Sequence, residues 1–232
     1  MFKRFLFLFI MLIGLTTAHA SERYEVELIA FKHYGVGTDE AENLAYQLPL
    51  LPASQGVNIL ESLLPSQKLP TVIDGAQVFS TTPNISLLSK SALQMTTEMR
   101  RMTRSLAFTP LIHLAWSVEI SESTAPSIRL LAGENFQGRY PLASSQIGVD
   151  VNGPLFELDG LITLFHDQQL YLETELVLRE PNQYLGTSSQ ASSEDSNGLI
   201  EFPVKQRRRV NSGETYYLDH PLLGLLVKIR KV

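Results

Sequence analysis

Basic side chains at the C-terminal end of the chain are the residues best suited to binding chemistry. Residues 204–232 contain seven basic and two acidic side chains, a net charge of +5. Alternation along extended strands places cations on one face in residues 205–209 and again in residues 228–230. The five cations are Lys205, Arg207, Arg209, Lys228 and Arg230. If these two strands pair, the five side chains form one cationic surface, while Arg208 points to the opposite side.

Charge is distributed unevenly between this end and the rest of the chain. Residues 21–203 contain ten basic and 22 acidic side chains, a net charge of −12, beside the +5 of residues 204–232. Such asymmetry suits an anionic partner at the basic end. It is equally what is expected if the basic end neutralises the acidic body within the fold. The sequence leaves both interpretations open.

Catalytic arrangements are poorly supported by the spacing of the reactive residues. Asp219 and His220 lie near Ser212, as in a hydrolase triad, but neighbours on an extended strand point to opposite faces. The sequence has neither a G-x-S-x-G motif nor a metal-binding histidine spacing. Glu157 and Asp159 share a strand face, either as the two carboxylates of a glycan hydrolase or as solvated strand residues. We therefore predict a non-enzymatic protein without metal or cofactor, and a glycan hydrolase is the enzymatic alternative.

The first 20 residues have the features of a secretory signal peptide. Two basic residues precede an apolar run, residues 5–15, and Ala18-His19-Ala20 forms a small-residue cleavage site. We predict cleavage after Ala20 and a periplasmic protein, residues 21–232, with no membrane anchor and no nucleic-acid partner. The chain contains no cysteine, which excludes disulfides, thiol catalysis and lipidation at a signal-peptide cysteine.

One long amphipathic helix is predicted at about residues 84–106. Apolar side chains recur there at spacings of three and four, which places them on one face of a helix. They are Leu88, Ala92, Met95, Met99, Met102 and Leu106. Residues 32–82 contain several prolines and have weak periodicity, which predicts Pro-rich loops with short helices near residues 39–48 and 59–64.

Strands are predicted where apolar and polar residues alternate. Residues 24–31 form a first strand, and residues 156–165 and 170–178 form a hairpin. Residues 182–198 are rich in serine and poor in large apolar residues, which predicts a flexible loop. Together these elements predict a single α+β domain, residues 21–232, with a mainly antiparallel sheet and the one long helix.

Several segments form a series of motifs along the chain. At the C-terminal end a basic strand precedes Ser212-Gly213-Glu214, which is followed by Tyr217-Leu218-Asp219-His220-Pro221 and a final apolar strand. Upstream lie His113-Leu114-Ala115-Trp116 and a predicted hairpin containing Leu158-Asp159-Gly160. In this order the motifs resemble those of the CsiV family of periplasmic peptidoglycan-binding proteins.

The resemblance implies a non-enzymatic periplasmic protein that binds peptidoglycan. It also implies that the protein supports cell-wall synthesis by a class A penicillin-binding protein, directly or through that enzyme's outer-membrane lipoprotein activator. The five cations would then bind peptidoglycan carboxylates through charge-assisted hydrogen bonds. Tyr216, Tyr217 and Trp116 are candidates for stacking on its sugar rings, and core packing is the alternative for each ring. The alternative function is a protein–protein interaction scaffold that binds no glycan.

Overall fold

The described part of the chain consists mainly of β-strands. The structure is a computed structural model and describes residues 21–33, 56–78, 84–121, 124–139, 154–181 and 198–232. In chain order its strands are β1 (Glu22–His33), β2 (Val57–Asn58), β3 (Ile85–Leu87), β4 (Phe108–Ile120), β5 (Ser127–Asn135), β6 (Phe156–Asp167), β7 (Gln169–Pro181), β8 (Leu199–Arg209), β9 (Thr215–His220) and β10 (Leu223–Lys231). Within the same residues there is one α-helix, α1 (Thr96–Thr103).

These strands form two five-stranded sheets. Sheet 1 has the order β3-β4-β1-β10-β9, and sheet 2 has the order β2-β5-β6-β7-β8. Neighbouring strands are antiparallel except for β2 and β5, which are parallel. β1 lies between β4 and β10, so the first and last described strands are side by side, with Tyr24 opposite Lys231.

Apolar side chains of both sheets meet in one core. Every second residue of β1 points inward, and Val26, Leu28 and Ala30 are fully buried. The register aligns Leu28 with Leu114 of β4 and with Val227 of β10. Core residues of sheet 2 include Leu158, Ile162, Leu172, Leu176 and Val204. Each buried aliphatic side chain contributes about 1.5–3 kcal/mol relative to exposure, which stabilises a two-layer β-sandwich.

The predicted first strand and the predicted hairpin are confirmed. β1 extends the predicted strand by two residues at each end. β6 and β7 pair in one continuous register from Leu158 to Asp167, and Gln168 makes the turn with φ at 60°. Residues 59–64 contain only a 3-10 turn, Glu61–Leu63. The helix predicted near residues 39–48 and the serine-rich segment 182–197 lie outside the described residues.

The predicted long helix at residues 84–106 is wrong. Its first part forms β3, which pairs with Trp116–Val118 of β4 and buries Ile85. Lys90–Ala92 is a 3-10 turn, and only the eight residues of α1 are α-helical. The 3.6-residue periodicity therefore joined apolar side chains that belong to different elements.

Only two side chains of that predicted apolar stripe are buried, one just before α1 and one within it. Met95 and Met99 pack against Ile29 and Phe31 on the outer face of sheet 1. Leu106, at the end of the predicted stripe, is 98% exposed. The predicted α+β class is wrong for the same reason: the fold is mostly β, because each sheet buries its inner face against the other and needs no helical layer to cover it.

Polar side chains of β8 connect the two sheets along one side of the sandwich. Gln206 Nε2 donates to the carbonyl of Asp219 at 2.5 Å, and Arg208 Nη1 donates to the carbonyl of Tyr217 at 2.9 Å. The Arg208 guanidinium also lies 5.4 Å from the centre of the Tyr216 ring. Both contacts occupy backbone acceptors on the edge strand β9, where an unpaired edge would favour pairing with another chain.

We predict that Gly160→Ala destabilises the sandwich by roughly 2–4 kcal/mol. Gly160 lies in the central strand β6 with φ at 154°, and an added Cβ would be 2.2 Å from the carbonyl oxygen of Glu175. Both the backbone conformation and the neighbouring strand therefore oppose a side chain. Urea unfolding of the variant measures the loss.

Gly138→Ala is the matched control. Gly138 also has a positive φ, 71°, but no atom of the described residues lies within 4 Å of an added Cβ. The substitution should therefore lower the free energy of unfolding only through the unfavourable backbone conformation, by about 1 kcal/mol. Equal losses of stability in the two variants would show that the close approach of β7 is not the reason why position 160 requires glycine.

Candidate functional site

The three predicted cations of β8 lie on the outer face of sheet 2. Lys205, Arg207 and Arg209 are all exposed, whereas the alternating residues Phe202 and Val204 are buried. The facing residues on β7 are Glu175 opposite Lys205, Glu173 opposite Arg207 and Tyr171 opposite Arg209. The basic strand is therefore paired with an acidic one.

Carboxylates partly neutralise this row of cations. Lys205 Nζ lies 3.2 Å from Glu175 Oε1, and Arg207 Nη2 lies 2.8 Å from Asp167 Oδ2. Arg209 makes no ion pair with any residue that the structure describes. These pairs are solvent-exposed, so each contributes only about 0–1 kcal/mol to stability. The cations thus remain available to an external carboxylate.

Arg207 lies over two neighbouring aromatic rings. Its guanidinium carbon lies 4.9 Å from the ring centre of Phe165 and 4.7 Å from that of Tyr171. The two rings are themselves stacked, with centres 5.8 Å apart. Cation–π contacts of this kind orient the planar guanidinium. The spacing in the sequence gives no signal of this arrangement, because the aromatic residues come from β6 and β7.

The two predicted cations of β10 lie in the other sheet. β8 pairs with β7, and β10 pairs with β1 and β9, so the predicted pairing of β8 with β10 is wrong. Lys228 and Arg230 lie on the outer face of sheet 1, where Arg230 Nη2 is 2.6 Å from Glu25 Oε2. Glu25 and Glu27 of β1 lie opposite Arg230 and Lys228, and opposite charges on facing strands are favourable.

Two of the three predicted aromatic residues are buried. Trp116 is 2% exposed and lies in the core of sheet 1. Tyr216 is also buried; its hydroxyl donates to Glu214 and accepts a hydrogen bond from the backbone N–H of Asn211 at 2.6 Å. Both rings are therefore shielded from a ligand that approaches from solvent.

Tyr217 is 40% exposed and has a fixed orientation. Its hydroxyl donates to Asp219 Oδ1 at 2.6 Å and lies 3.1 Å from His33 Nε2. Its ring is parallel to that of Phe31, with an interplanar angle of 8°. Burial, followed by the neighbouring Asp219 carboxylate, raises the pKa of Tyr217 well above its usual range. The ring is a rigid aromatic surface on sheet 1, on the same face as Lys228.

The residues considered for a hydrolase triad have other partners. Asp219 accepts from the Tyr217 hydroxyl, His220 Nδ1 accepts from the backbone N–H of Leu222 at 3.3 Å, and Ser212 Oγ accepts from the backbone N–H of Lys231 at 2.7 Å. Each contact stabilises a turn or a strand end. No hydrogen bond joins the three side chains within the described residues.

Glu157 and Asp159 are buried in ion pairs rather than solvated. Asp159 accepts two hydrogen bonds from Arg129, at 2.8 and 2.7 Å, and Glu157 Oε1 lies 2.5 Å from Lys32 Nζ. The Lys32 ammonium also contacts Glu180 at 2.9 Å. Each carboxylate is neutralised by a cation and lies away from solvent, which fits a structural role in sheet 2 better than general acid–base chemistry.

A groove at one end of the sandwich was not predicted from the sequence. It has a volume of about 390 Å³ and lies where the chain passes from β4 to β5. Its lining includes Ser127, Thr163, Phe165, His166, Glu173 and Arg207. These residues come from four strands, so no local motif reveals them.

A second unpredicted surface lies on and after α1. Arg100, Arg101 and Arg104 are exposed and form no ion pair within the described ranges of the chain. Their position in the last turn of α1 suits the helix dipole, which favours cations there. Leu106 follows them and is 98% exposed. The surface is therefore basic and carries one exposed apolar side chain.

The buried pair of Glu27 and His113 positions α1. Glu27 Oε1 lies 2.8 Å from His113 Nε2, and the carboxylate also accepts from the backbone N–H groups of Gln94 and Met95, at 2.9 and 2.7 Å. Burial by itself would raise the pKa of Glu27, but the hydrogen bonds from His113 and the two backbone groups outweigh it and lower that pKa. The anionic side chain therefore satisfies the backbone at the start of the helix.

Two further features are absent from the described residues. Those residues contain no cluster of three or more side chains suited to holding a metal ion. They also contain no helix long and apolar enough to cross a membrane.

We predict that Glu27→Gln destabilises the protein by about 3 kcal/mol at neutral pH, because it removes a buried charge with three hydrogen-bond donors. The folded-state pKa of Glu27 lies below its ordinary value of 4.5. The carboxylate therefore contributes its stability above that value, and the contribution is lost as pH falls through the folded pKa. The difference in the free energy of unfolding between wild type and variant should therefore become smaller at acid pH.

Urea unfolding over a pH series measures this difference. Glu25→Gln is the control on the same strand, because its partly exposed pair with Arg230 should cost at most about 1 kcal/mol. A Glu27→Gln variant with wild-type stability would show that the carboxylate does not anchor α1.

Comparison with solved structures adds no argument about the fold. The chain is similar to the type IV competence pilus secretin PilQ of V. cholerae, solved by single-particle cryo-EM, with 13% identity and a TM-score of 0.29. The alignment covers 91% of this chain and 58% of the secretin chain. Similarity at this level is too weak to transfer structure or function. No curated protein matches the chain significantly.

The sequence profile of a family described as "Peptidoglycan-binding protein, CsiV" matches residues 2–232. The match covers almost the whole chain, including the strands on both sheets, and confirms the resemblance seen in the motifs. The chain belongs to the CsiV family of peptidoglycan-binding proteins.

Proposed function

We propose that this protein binds peptidoglycan in the periplasm and acts there without catalysis. Membership of a family named for peptidoglycan binding is the observation that carries the proposal. The signal-peptide features of residues 1–20 support export, and peptidoglycan lies in the compartment that such a segment leads to. Cleavage after Ala20 remains part of the proposal.

The outer face of sheet 2 is the proposed contact for peptidoglycan carboxylates. Lys205, Arg207 and Arg209 are exposed in one row, and Arg207 is oriented by two aromatic rings. A ligand carboxylate can replace Glu175 at Lys205, because exposed ion pairs are weak and charge-assisted hydrogen bonds form equally with either partner. Arg209 forms no ion pair with the described residues, so a ligand carboxylate would not have to displace one of them there.

The outer face of sheet 1 offers a second proposed contact. Tyr217, Lys228 and Arg230 share this face, so the predicted site residues divide into two groups rather than one. An exposed ring with a fixed hydroxyl suits stacking on a sugar, since little conformational freedom is lost on binding. Tyr216 and Trp116 support the fold and are not part of this contact.

We further propose that the bound protein supports a class A penicillin-binding protein, directly or through its lipoprotein activator. The surface formed by Arg100, Arg101, Arg104 and Leu106 supports such a role, because its exposed cations and apolar side chain suit an acidic protein surface. The same observation favours the second candidate function, a scaffold that binds proteins and no glycan.

Co-sedimentation with purified sacculi tests glycan binding. We expect the Arg207→Gln/Arg209→Gln variant to bind about tenfold more weakly, because each arginine loses charge-assisted hydrogen bonds. Its melting temperature should stay within a few degrees of wild type. Wild-type binding should weaken with salt, since the Debye length falls from about 30 Å at 0.01 M to about 8 Å at 0.15 M.

Arg23→Gln is the matched control for charge. Arg23 is exposed and makes only a 3.8 Å contact with Glu119 on sheet 1. Arg208→Gln should lower stability more than binding, because Arg208 connects β8 to β9. Salt-independent binding, or equal loss in Arg23→Gln and in the double variant, would exclude the β8 surface. Absence of wild-type sedimentation would exclude peptidoglycan binding itself.

Biolayer interferometry with the purified synthase and activator tests the α1 surface. Arg104→Gln/Leu106→Ser should weaken binding to one of these proteins at least about tenfold, as expected when an interface loses a central apolar contact. Sedimentation with sacculi and the melting temperature should not change, since both side chains are exposed. The control is Lys90→Gln, another exposed cation before the helix. Wild-type affinity in the double variant would exclude this surface.

A further inference from the structure

The groove between β5, β6, β7 and β8 is lined by both hydrogen-bond donors and hydrogen-bond acceptors. Ser127 and Thr163 face each other across β5 and β6, with their hydroxyl oxygens 2.7 Å apart. Thr124, before β5, and Glu173, on β7, lie on the same groove. Hydroxyl groups donate and accept, and carboxylates accept. The set is therefore suited to a ligand whose groups both donate and accept hydrogen bonds.

We propose that this groove binds one N-acetylated sugar residue of the glycan strand; this inference rests on the proposed peptidoglycan binding. Sugar hydroxyls and acetamido groups offer donors and acceptors around a ring with apolar faces. The groove provides matching polar groups together with the aromatic side chain Phe165. Its volume of about 390 Å³ lies at the small end of the range for ligand pockets, roughly 300–1,000 Å³, which suits a single sugar residue rather than a long segment.

Charge balance favours a neutral sugar over a free carboxylate in the groove. Arg207 is the cation of the lining, and its Nη2 is already 2.8 Å from Asp167 Oδ2. Glu173 lies directly opposite Arg207 on β7 and contributes a second negative charge. With two carboxylates beside one guanidinium, Arg207 acts here as an oriented hydrogen-bond donor. Arg209 lies outside the groove and is the better partner for carboxylates of the stem peptide.

The lining is ordered before a ligand binds. The ring centres of Phe165 and Tyr171 lie within 5 Å of the Arg207 guanidinium, at 4.9 and 4.7 Å. His166 Nε2 is 3.2 Å from both Glu22 Oε2 and the Tyr24 hydroxyl, so sheet 1 fixes this ring of sheet 2. Groups held on strands lose little freedom on binding, which matters for a small polar ligand with few contacts.

Chemical-shift mapping by NMR, on protein purified after expression of the full chain, tests the assignment with two probes. Tri-N-acetylglucosamine provides the neutral sugar without peptide, and the free stem tetrapeptide provides the carboxylates without sugar. We expect the sugar to shift the resonances of Ser127, Thr163 and Phe165 in a saturable way. The peptide should leave these resonances unchanged.

Thr163→Val removes one groove hydroxyl and keeps the shape and strand preference of the side chain. It should weaken sugar binding roughly three- to tenfold, the effect of one lost hydrogen bond, with an unchanged melting temperature. Thr215→Val on β9 is the matched control, because Thr215 is exposed on the other sheet. Equal effects of the two substitutions would overturn the assignment.

The remaining outcomes separate this inference from the proposed function. If sacculi bind the wild type but the sugar shifts no groove resonance, peptidoglycan binding stands and the groove assignment fails. If the peptide shifts the groove and the sugar does not, the site recognises the stem and the assignment also fails. Saturable shifts of the groove resonances by the sugar support the groove assignment. If sedimentation with sacculi is not detected in that case, only the proposed function fails.

Discussion

The pairing of β1 with both β4 and β10 is the interaction on which the rest of the structure depends. The inner face of β1 contributes Val26 and Leu28 to the core, and its outer face presents Glu27 to α1 and Phe31 to Tyr217. One strand therefore supports the core, the helix and the exposed ring. The partner β10 is at the far end of the chain, so sheet 1 is completed only by a contact between segments about 200 residues apart. Such non-local pairing predicts slow folding.

Acidic residues lie opposite both basic segments. The strands that pair with β8 and β10 present acidic residues, Glu173 and Glu175 on β7 and Glu25 on β1. Glu22 adds a contact to Lys231, and this lysine, with Tyr24 and His166, lowers the pKa of Glu22 to about 2. Much of the charge asymmetry in the sequence is thus resolved inside the fold. Arg209 and the arginines on and after α1 form no ion pair with the described residues, so they gain importance as candidates for external ligands.

The sequence predicts faces of strands better than it predicts their neighbours. Alternation correctly separates Arg207 and Arg209 from Arg208, because side-chain direction is a local property of an extended backbone. Alternation does not indicate which strand is the partner, and the predicted pairing of β10 with β8 is therefore wrong. The apolar spacing of residues 84–106 matched a helix although backbone pairing with β4 had the larger effect at its start. The groove and the Glu27–His113 pair join distant segments and leave no pattern in the sequence.

The proposed carboxylate contact on β8 and the proposed protein contact on α1 lie on opposite faces of the sandwich. Lys205, Arg207 and Arg209 face outward from sheet 2, whereas α1 covers part of the outer face of sheet 1. A glycan bound at β8 would leave the α1 surface free, so the proposed glycan and protein partners could bind at the same time. A protein that held a synthase close to its polymer product in this way would raise their effective concentration without any new catalytic group. A rigid two-layer sandwich suits this task, because it fixes the distance between its two faces.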